Sequence, residues 1–341
     1  MADEQTVRLA AVLEQAIGAA AGAPATVSRL RPLAGGASQE AWALDVAIVG
    51  GSWAGQHTLV LRRDMGGALS SAVLPRDQEF AVLRAMHAAG VHVPRPYWFF
   101  PDLSGNGRAA FLMERLDGET IGRRLVQDPN LAEARARLAE QMAAELAKIH
   151  AVDPAAAGLA FLRAPAPGQS AAALTLDRLE ADLRAVDEPH PALELGLRWL
   201  RQHDPGPGPL VPIHGDFRVG NLIVGPAGLR AVLDWENAHL SDPHADLAWV
   251  CVRAWRFGKD DLTAGGITDR ETFFRAYERA INQPVDRDRA FYWEVMGNLQ
   301  WATGALGQAR RHLSDLEPSI ELASLGRIAA EMELELLNLI E

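Results

Sequence analysis

The chain has one cysteine, Cys251, and two lysines, Lys148 and Lys259, among its 341 residues. A single cysteine forms no disulfide within the chain and no pair of metal ligands, which excludes a disulfide-stapled scaffold and favours a reducing cytoplasm. Basic residues are also in deficit, with 33 Lys plus Arg against 44 Asp plus Glu. The net charge of -11 has the wrong sign for a surface that binds nucleic acid, so nucleic acid is not an expected partner.

Long apolar runs are missing as well. The mean hydropathy is -0.05, and the acidic start Met1-Ala2-Asp3-Glu4 lacks the basic stretch and apolar segment of an export signal. We therefore expect a cytoplasmic protein that is neither exported nor inserted in a membrane. No internal repeat is visible, which excludes a solenoid or a propeller. What remains is a globular chain long enough for two lobes.

Strand and helix signals divide the sequence into two parts of different character. Up to residue 117 the pattern predicts a helix, three strands, a second helix and two further strands, at about 7–20, within 26–63, 76–89, 97–100 and 109–113. Beyond Gly118 it predicts long amphipathic helices at about 131–150, 174–200, 272–281, 286–312 and 320–340, with a hairpin at 221–233. This predicts an α+β fold with an N-terminal antiparallel-sheet lobe (1–117) and a mainly helical C-terminal lobe (118–341).

The most informative stretch reads H-G-D-F-R-V-G-N from His214 to Asn221, and Asp234 follows at the end of the predicted hairpin. Phosphoryl transfer needs a carboxylate beside the attacking hydroxyl and oxygen ligands that hold Mg²⁺ against the phosphates. An Asp, an Asn five residues later and a hairpin-terminal Asp supply that set. Asp216 is therefore the candidate catalytic residue, and Asn221 and Asp234 are the candidate Mg²⁺ ligands.

These residues resemble the aminoglycoside phosphotransferase and choline kinase superfamily, the small-molecule relatives of the protein kinases. The resemblance rests on I-H-G-D, on Asn221, on L-D-W at 233–235 and on D-P-H-A-D-L-A at 242–248. It is closest to the branch similar to the kinase domains fused to acyl-CoA dehydrogenases, which shares the D-W-E and D-P-x-x-D-L forms. The resemblance implies a bilobal protein-kinase-like fold and transfer from Mg-ATP to a hydroxyl of a small acceptor, with the oligomeric state left open.

The N-terminal part offers a candidate nucleotide site. Gly35, Gly36 and Ser38 lie in a loop between two predicted strands, where backbone N–H groups can approach ATP phosphates. In the strand Leu59-Val60-Leu61-Arg62, alternation puts Val60 and Arg62 on one face, for adenine and phosphate respectively. The superfamily usually has lysine at the second position. No lysine precedes residue 148, so Arg62 is expected to take its role.

Other positions are assigned through the resemblance. Glu79 resembles the glutamate that pairs with the phosphate-binding cation, and backbone groups of Glu114 and Leu116 resemble the hinge that binds the adenine edge. His214 is expected to anchor the catalytic loop rather than bind metal, and Asp246 to brace that loop.

Two neighbouring acids have simpler interpretations. Asp242 precedes a proline and is expected to cap a helix. Glu236 follows a candidate metal ligand and is expected to be exposed.

Two other classes of function compete with a kinase. A metallohydrolase is suggested by the crowding of His and Asp at 214, 216, 234, 239, 242, 244 and 246, but it leaves the first lobe unexplained. A nucleotide-binding pseudokinase is suggested by the missing lysine.

The acceptor is a separate question. Trp293, Met296, Leu299 and Trp301 in the predicted helix 286–312, with Arg310 and Arg311 at its end, favour an apolar or anionic alcohol. The resemblance to the dehydrogenase-fused branch implies a hydroxyacyl-CoA-like compound. An aminoglycoside, another antibiotic or an amino alcohol is the alternative.

Overall fold

The computed structural model describes residues 2–33, 39–64, 73–105, 107–314 and 318–341, and the chain forms two structural units. Unit 1 contains the described residues up to Gly118 together with Ala155–Phe161 and Arg230–Ala238. Unit 2 contains Glu119–Pro154, Leu162–Leu229 and His239–Glu341. Unit 1 thus takes in two short segments that lie beyond the N-terminal part predicted from the sequence.

Unit 1 is built on a five-stranded antiparallel sheet in the order β1-β2-β3-β5-β4. Its elements are α1 (Ala2–Ala21), β1 (Ala25–Pro32), β2 (Gln39–Ile48), β3 (Gly55–Asp64), α2 (Arg76–Ala88), β4 (Pro96–Phe100) and β5 (Ala110–Glu114). The predicted order of a helix, three strands, a helix and two strands is confirmed.

Alternation along β3 decides what each face of the sheet carries. Leu59 and Leu61 are fully buried in a cluster with Leu13 and Ile17 of α1. Val60 and Arg62 consequently point to the opposite face, because successive side chains of a strand alternate. A charged residue at this position is thereby directed away from the apolar core of the sheet.

The segment Arg230–Ala238 joins unit 1 through backbone hydrogen bonds. The Val232 N–H donates to the His92 carbonyl at 2.8 Å, and the Leu74 N–H donates to the Glu236 carbonyl at 2.7 Å. Trp235 is buried, and its Nε1 donates to the Val232 carbonyl at 3.2 Å. These contacts fix the position of Asp234 within unit 1.

Unit 2 is mainly helical. Its helices are α3 (Gly122–Gln127), α4 (Ala132–His150), α5 (Ala171–Val186), α6 (Pro191–Gln202), α7 (Pro243–Cys251), α8 (Arg270–Ile281), α9 (Arg287–Leu313), α10 (Ile320–Leu325) and α11 (Ile328–Ile340). Its short strands are β6 (Val211–Ile213), which pairs with β9 (His239–Ser241), and β7 (Leu222–Gly225); β8 (Gly228–Val232) begins here. Leu176, Leu197, Ala248, Met332 and the middle of α9 belong to one buried cluster.

Two predicted helices are each divided in the structure. The helix expected over 174–200 was wrong as one element, because α5 ends before Asp187, which has φ 60°, and α6 begins at Pro191. Proline lacks the N–H of a helix interior but fits a first helical position. The helix expected over 320–340 is interrupted at Gly326, where a Cβ would lie 2.9 Å from the Ala309 Cβ. Periodicity continues across both breaks and therefore did not reveal them.

Among the helices that the structure describes, none has the length and apolar character needed to cross a membrane.

Candidate active site

Arg62 is the central cation of the candidate nucleotide site in unit 1. Its Nη1 lies 3.2 Å from Oε1 of Glu79, and its Nη2 donates to Oδ1 of Asp234 at 2.9 Å. Burial lowers the pKa of the Arg62 guanidinium, but the Glu79 and Asp234 carboxylates outweigh it and hold the pKa above its ordinary value. The structure thus brings three residues predicted from distant parts of the sequence into direct contact.

Glu79 is held in turn by a second arginine that the sequence did not single out. Arg76, one turn earlier on α2, is 1% exposed and binds the Glu79 carboxylate. Its Nε also donates to Oδ1 of Asp64 at 2.7 Å, and its Nη2 lies 3.7 Å from Oε2 of Glu236. The i, i+3 spacing of Arg76 and Glu79 on a helix was the available signal. The site is therefore a network of alternating charges.

Glu236 is mostly buried, so the expectation of an exposed side chain was wrong. Its side chain is 14% exposed, because the segment that carries it is tied into unit 1. Burial, followed by repulsion from Asp234, raises the pKa of Glu236 to about 7.

Asp234 adopts a left-handed backbone conformation, with φ 68° and ψ 63°, just before the short 3₁₀ turn Trp235–Asn237. Non-glycine residues adopt this region rarely, and aspartate and asparagine tolerate it best. The buried Trp235 fixes the chain on one side, while the Asp234 side chain stays 33% exposed. The turn therefore presents a carboxylate beside Arg62.

The other predicted nucleotide contacts of unit 1 lie on or just after the sheet. Val60 is 8% exposed and pairs with Met113 of β5. The Glu114 N–H donates to the Arg95 carbonyl at 2.9 Å, and Leu116 follows β5 in irregular structure. A small pocket beside Arg62 is lined by Phe111, Met113 and Asp234, among others. Gly35, Gly36 and Ser38 lie outside the described residues, so their predicted role stays a prediction.

Asp216 is the centre of the candidate catalytic loop in unit 2. Its Oδ2 accepts from Nδ2 of Asn221 at 2.7 Å, and its Oδ1 accepts from Nε1 of Trp249 at 2.8 Å. Nε of Arg218 donates to the same carboxylate at 3.0 Å, and the Arg218 guanidinium stacks 4.6 Å above the ring of Trp255. Donors from three side chains hold this carboxylate in one orientation. Arg218 and Trp249 were not predicted as site residues.

Asp246 supports the loop from the first turns of α7. Its carboxylate is 1% exposed and accepts from the backbone N–H groups of His214, at 2.7 Å, and Gly215, at 2.9 Å. His150 Nε2 lies 3.3 Å away, and His150 Nδ1 lies 2.7 Å from the Tyr277 hydroxyl. Burial alone raises the pKa of Asp246, but the hydrogen bond and charge of His150, with those of His214, hold it below its ordinary value.

His214 is fully buried, and its Nδ1 accepts from the Asp216 N–H at 3.2 Å. Its ring makes an edge contact with Phe217. Gly215, at φ 79°, allows the turn between these residues. His214 therefore contacts the loop itself.

The candidate Mg²⁺ ligands have the right donor chemistry. Both described hydrogen bonds of the Asn221 amide are made by Nδ2, to the carbonyl and the carboxylate of Asp216, and neither uses its amide oxygen. Asp234 supplies carboxylate oxygens in unit 1. Oxygen ligands of this kind suit Mg²⁺.

The crowded His and Asp residues do not make a zinc centre. In the described ranges, no three side chains of His, Cys, Asp or Glu come together as a metal site. Asp242 caps α7 through the His244 N–H, as predicted, and also binds Nδ1 of His244 at 2.6 Å and Nε of Arg289 at 2.9 Å. These contacts explain part of the crowding as helix capping and ion pairing.

The chain is similar to one protein family and to part of a longer protein. The model of the phosphotransferase enzyme family matches residues 29–292. The chain is 31% identical over 251 residues to acyl-CoA dehydrogenase family member 10 of Mus musculus, an alignment that covers 69% of this chain and 23% of the mouse protein. The chain thus spans about a quarter of the length of that relative.

Two solved structures share the fold. A Ralstonia eutropha protein named as an aminoglycoside phosphotransferase has a TM-score of 0.76 at 23% identity, covering 96% of this chain and 97% of that one. Spectinomycin phosphotransferase, solved with ADP and spectinomycin, has a TM-score of 0.62 at 12% identity, covering 95% and 97%. The predicted α+β, protein-kinase-like fold is confirmed.

Proposed function

The chain belongs to the phosphotransferase enzyme family, and we propose that it transfers the γ-phosphoryl group of Mg-ATP to a hydroxyl of a small acceptor. The observation that carries this proposal is the Asp216 carboxylate, held by Asn221, Trp249 and Arg218 while its side chain stays 16% exposed. A carboxylate fixed in this way is suited to orient an alcohol and accept its proton.

Residues of both units have roles in this proposal. Asp216 orients the acceptor hydroxyl and takes its proton. Arg62, which Glu79 holds in position, binds the phosphates of the nucleotide. Asn221 and Asp234 would hold Mg²⁺, which when bound neutralises charge that develops on the transferring group. Val60, with backbone groups of Glu114 and Leu116, would contact the adenine, and the loop of Gly35, Gly36 and Ser38 would approach the phosphates. His214 and Asp246 hold the catalytic loop.

The use of arginine in place of lysine is chemically consistent with phosphate binding. A guanidinium is permanently charged and offers several donors in a planar fork. Arg62 uses Nη1 toward Glu79 and Nη2 toward Asp234. The same group can therefore be fixed by carboxylates and contribute positive charge to the nucleotide site. This supports a working kinase rather than a nucleotide-binding pseudokinase.

For the acceptor, we propose an apolar or anionic alcohol, with hydroxyacyl-CoA-like compounds as the first candidates. The similarity to a relative named acyl-CoA dehydrogenase family member 10 supports this class. The spectinomycin phosphotransferase that shares the fold was solved with spectinomycin, which supports antibiotics as the alternative acceptors.

An ADP-release screen tests the proposal. The panel contains hydroxyacyl-CoA esters, hydroxy acids, sugars, amino alcohols, macrolides and aminoglycosides, each with Mg-ATP. We expect acceptor-dependent ADP release that disappears in Asp216→Asn, with transfer of the phosphoryl group confirmed by mass spectrometry. Nucleotide binding without transfer to any alcohol would favour the pseudokinase. Efficient phosphorylation of kanamycin-type compounds alone would favour the antibiotic kinase.

A further inference from the structure

A pocket within unit 2 lies beside the candidate catalytic loop. Gly215, which precedes Asp216, forms part of its wall, and so does Trp249, whose Nε1 binds the Asp216 carboxylate at 2.8 Å. Arg178 of α5 and Trp293 and Met296 of α9 also line it, among others. Side chains of α5 and α9 therefore line the same pocket as the residue that precedes Asp216.

Among the described residues, no carboxylate forms an ion pair with Arg178. Arg178 makes one described hydrogen bond, from Nη2 to Oε1 of Gln300 at 3.4 Å, and no ion pair in the described part of the chain. Its Nε is buried and makes no hydrogen bond. Burial lowers the pKa of Arg178, Arg163 lowers it further, and the charge of Asp182 raises it without an ion-pair contact. A charge in such surroundings is costly to keep unless something pairs with it.

Arg163 also has a buried N–H group without a hydrogen bond, and it lies next to residues that line the pocket. Its carbonyl accepts from the Leu240 N–H at 2.9 Å, which places it beside the strand β9 whose residues His239 and Ser241 line the pocket. The Nε of Arg163 is also buried without a hydrogen bond, and burial lowers the pKa of its guanidinium. Two arginines close enough to repel each other therefore each have a buried Nε without a hydrogen bond.

Two other arginines of unit 2, Arg256 and Arg289, bind carboxylates. Arg256 lies 3.4 Å from Oε1 of Glu294 and 3.4 Å from Oε1 of Glu335, and Arg289 lies 2.9 Å from Oδ2 of Asp242. Against this pattern, Arg163 and Arg178 are exceptions. Trp293 adds a third donor to the pocket region, because its Nε1 is buried without a hydrogen bond. An anion with several oxygens supplies acceptors for N–H donors of this kind.

We propose that the acceptor carries a carboxylate or phosphate group on the same molecule as its hydroxyl, and that Arg178, backed by Arg163, binds this anion. The proposal rests on the proposed function and narrows its acceptor to anionic alcohols. Trp249, Trp293 and Met296 add apolar surface to the pocket, so a carbon chain is expected to join the two polar ends of the acceptor. Asp246 also lines the pocket, but its oxygens already accept from His214, Gly215 and His150.

The test compares acceptors that differ only in charge. Hydroxyalkanoates of four to ten carbons, and the monophosphates of the corresponding diols, are compared with neutral hydroxyalkanamides of the same length. Binding to the full chain is measured by calorimetry, and phosphorylation by ADP release. We expect at least one anionic series to bind roughly 10-fold or more tightly than the amides. Equal binding of amides and anions, or binding of neither anionic series, would overturn the proposal.

Three variants test whether Arg178 and Arg163 cause the preference for anions. Arg178→Gln should abolish the preference for anions without weakening amide binding, Arg163→Gln should reduce it, and Arg178→Lys should keep part of it because the charge remains. Arg184→Gln is the matched control, since Arg184 lies on the same helix, is 72% exposed on its side chain and binds Glu180. An undiminished anion preference in Arg178→Gln would refute the assignment.

A stability measurement separates binding from structure. Because Arg178 carries a charge with no described ion pair, Arg178→Gln should leave the melting temperature of the free protein unchanged or higher. A clear fall in melting temperature would indicate a structural role and count against the anion site.

The outcomes also separate the two proposals. Arg178-dependent binding of anions without any phosphorylation would support the anion site but contradict the proposal that it binds a phosphoryl acceptor. Asp216-dependent phosphorylation of neutral alcohols with no preference for anions would support the proposed phosphotransferase function but contradict the anion site at Arg178.

Discussion

Arg62 donates from Nη2 to Oδ1 of Asp234 at 2.9 Å across 172 positions of sequence. The other terminal nitrogen of the same guanidinium lies 3.2 Å from Glu79. One arginine therefore connects a strand, a helix and the turn after β8 within unit 1. In the proposed enzyme this contact joins the phosphate-binding cation to a Mg²⁺ ligand, so the two are expected to respond together to substitution.

Arg62→Ala should reduce kcat/KM by roughly 10²-fold, because a preorganised charge near the phosphates is lost. Arg62→Lys should retain part of the activity, since lysine supplies the charge without the planar fork. The matched control is Arg63→Ala. Arg63 is the next residue of β3, points to the other face and donates from Nη2 to Glu40 at 2.6 Å. Steady-state kinetics with Mg-ATP check this, and equal losses in both alanine variants would contradict it.

Asp216→Asn should lower kcat by roughly 10² to 10⁴-fold while leaving Mg-ATP affinity nearly unchanged, because the amide cannot accept the hydroxyl proton. Asparagine preserves the shape of the side chain, so Trp249 and Arg218 keep one oxygen acceptor. Single-turnover kinetics and nucleotide titration separate chemistry from binding. Turnover within a few fold of the wild type would remove Asp216 from the mechanism.

Asp234→Ala should abolish Mg²⁺-dependent nucleotide binding, because the carboxylate would hold the metal that neutralises the phosphate charge. Asp234→Asn is the better variant for the same test. Asparagine tolerates the left-handed backbone at φ 68°, whereas alanine adds strain of about 1 kcal/mol or more. Calorimetry with ATP, with and without Mg²⁺, measures the effect. Unchanged Mg-ATP binding in both variants would refute the metal assignment.

Glu294→Gln should change how stability depends on pH. Burial raises the pKa of Glu294 to about 7, although Arg270 and Arg256 lower it. A carboxyl whose pKa is raised by folding binds its proton more tightly in the folded state, so its contribution to stability falls as pH rises from about 4.5 to 7. The variant should remove a pH-dependent term of up to about 3 kcal/mol between pH 5 and pH 8.

Urea unfolding at several pH values checks this as the difference between wild type and variant. Glu140→Gln serves as the control, because the Glu140 side chain is 61% exposed. Parallel stability curves for wild type and Glu294→Gln would show that the carboxyl does not titrate in this range.

Much of the architecture was predictable because local patterns carry it. Alternation on β3 correctly separated Leu61 from Arg62, and the turn signals predicted the succession of strands and helices along the chain in unit 1. The breaks at Asp187 and Gly326 were missed, because apolar periodicity persists on both sides of them. A single left-handed residue or a tight helix contact does not interrupt such a pattern.

The candidate site was predictable where residues lie close in sequence. The spacing of Asp216 and Asn221 predicted a pair that makes direct contact at 2.7 Å. Trp249 reaches Asp216 from 33 positions away, and no motif expressed that relationship. Glu236 was misjudged for the same reason, because its burial results from distant segments that its neighbours in sequence do not reveal.

Because unit 1 is made of three separate segments of the chain, it is complete only when the last segment has been synthesised. Its last residues, Arg230–Ala238, include Asp234 and leave the ribosome long after the sheet strands that end at Glu114. The sheet emerges without the carboxylate that binds Arg62 and without the backbone partners of His92 and Leu74. Nascent chains stalled before residue 230 should therefore expose more protease-sensitive sites in unit 1 than chains stalled well beyond residue 238, because that unit completes its folding late.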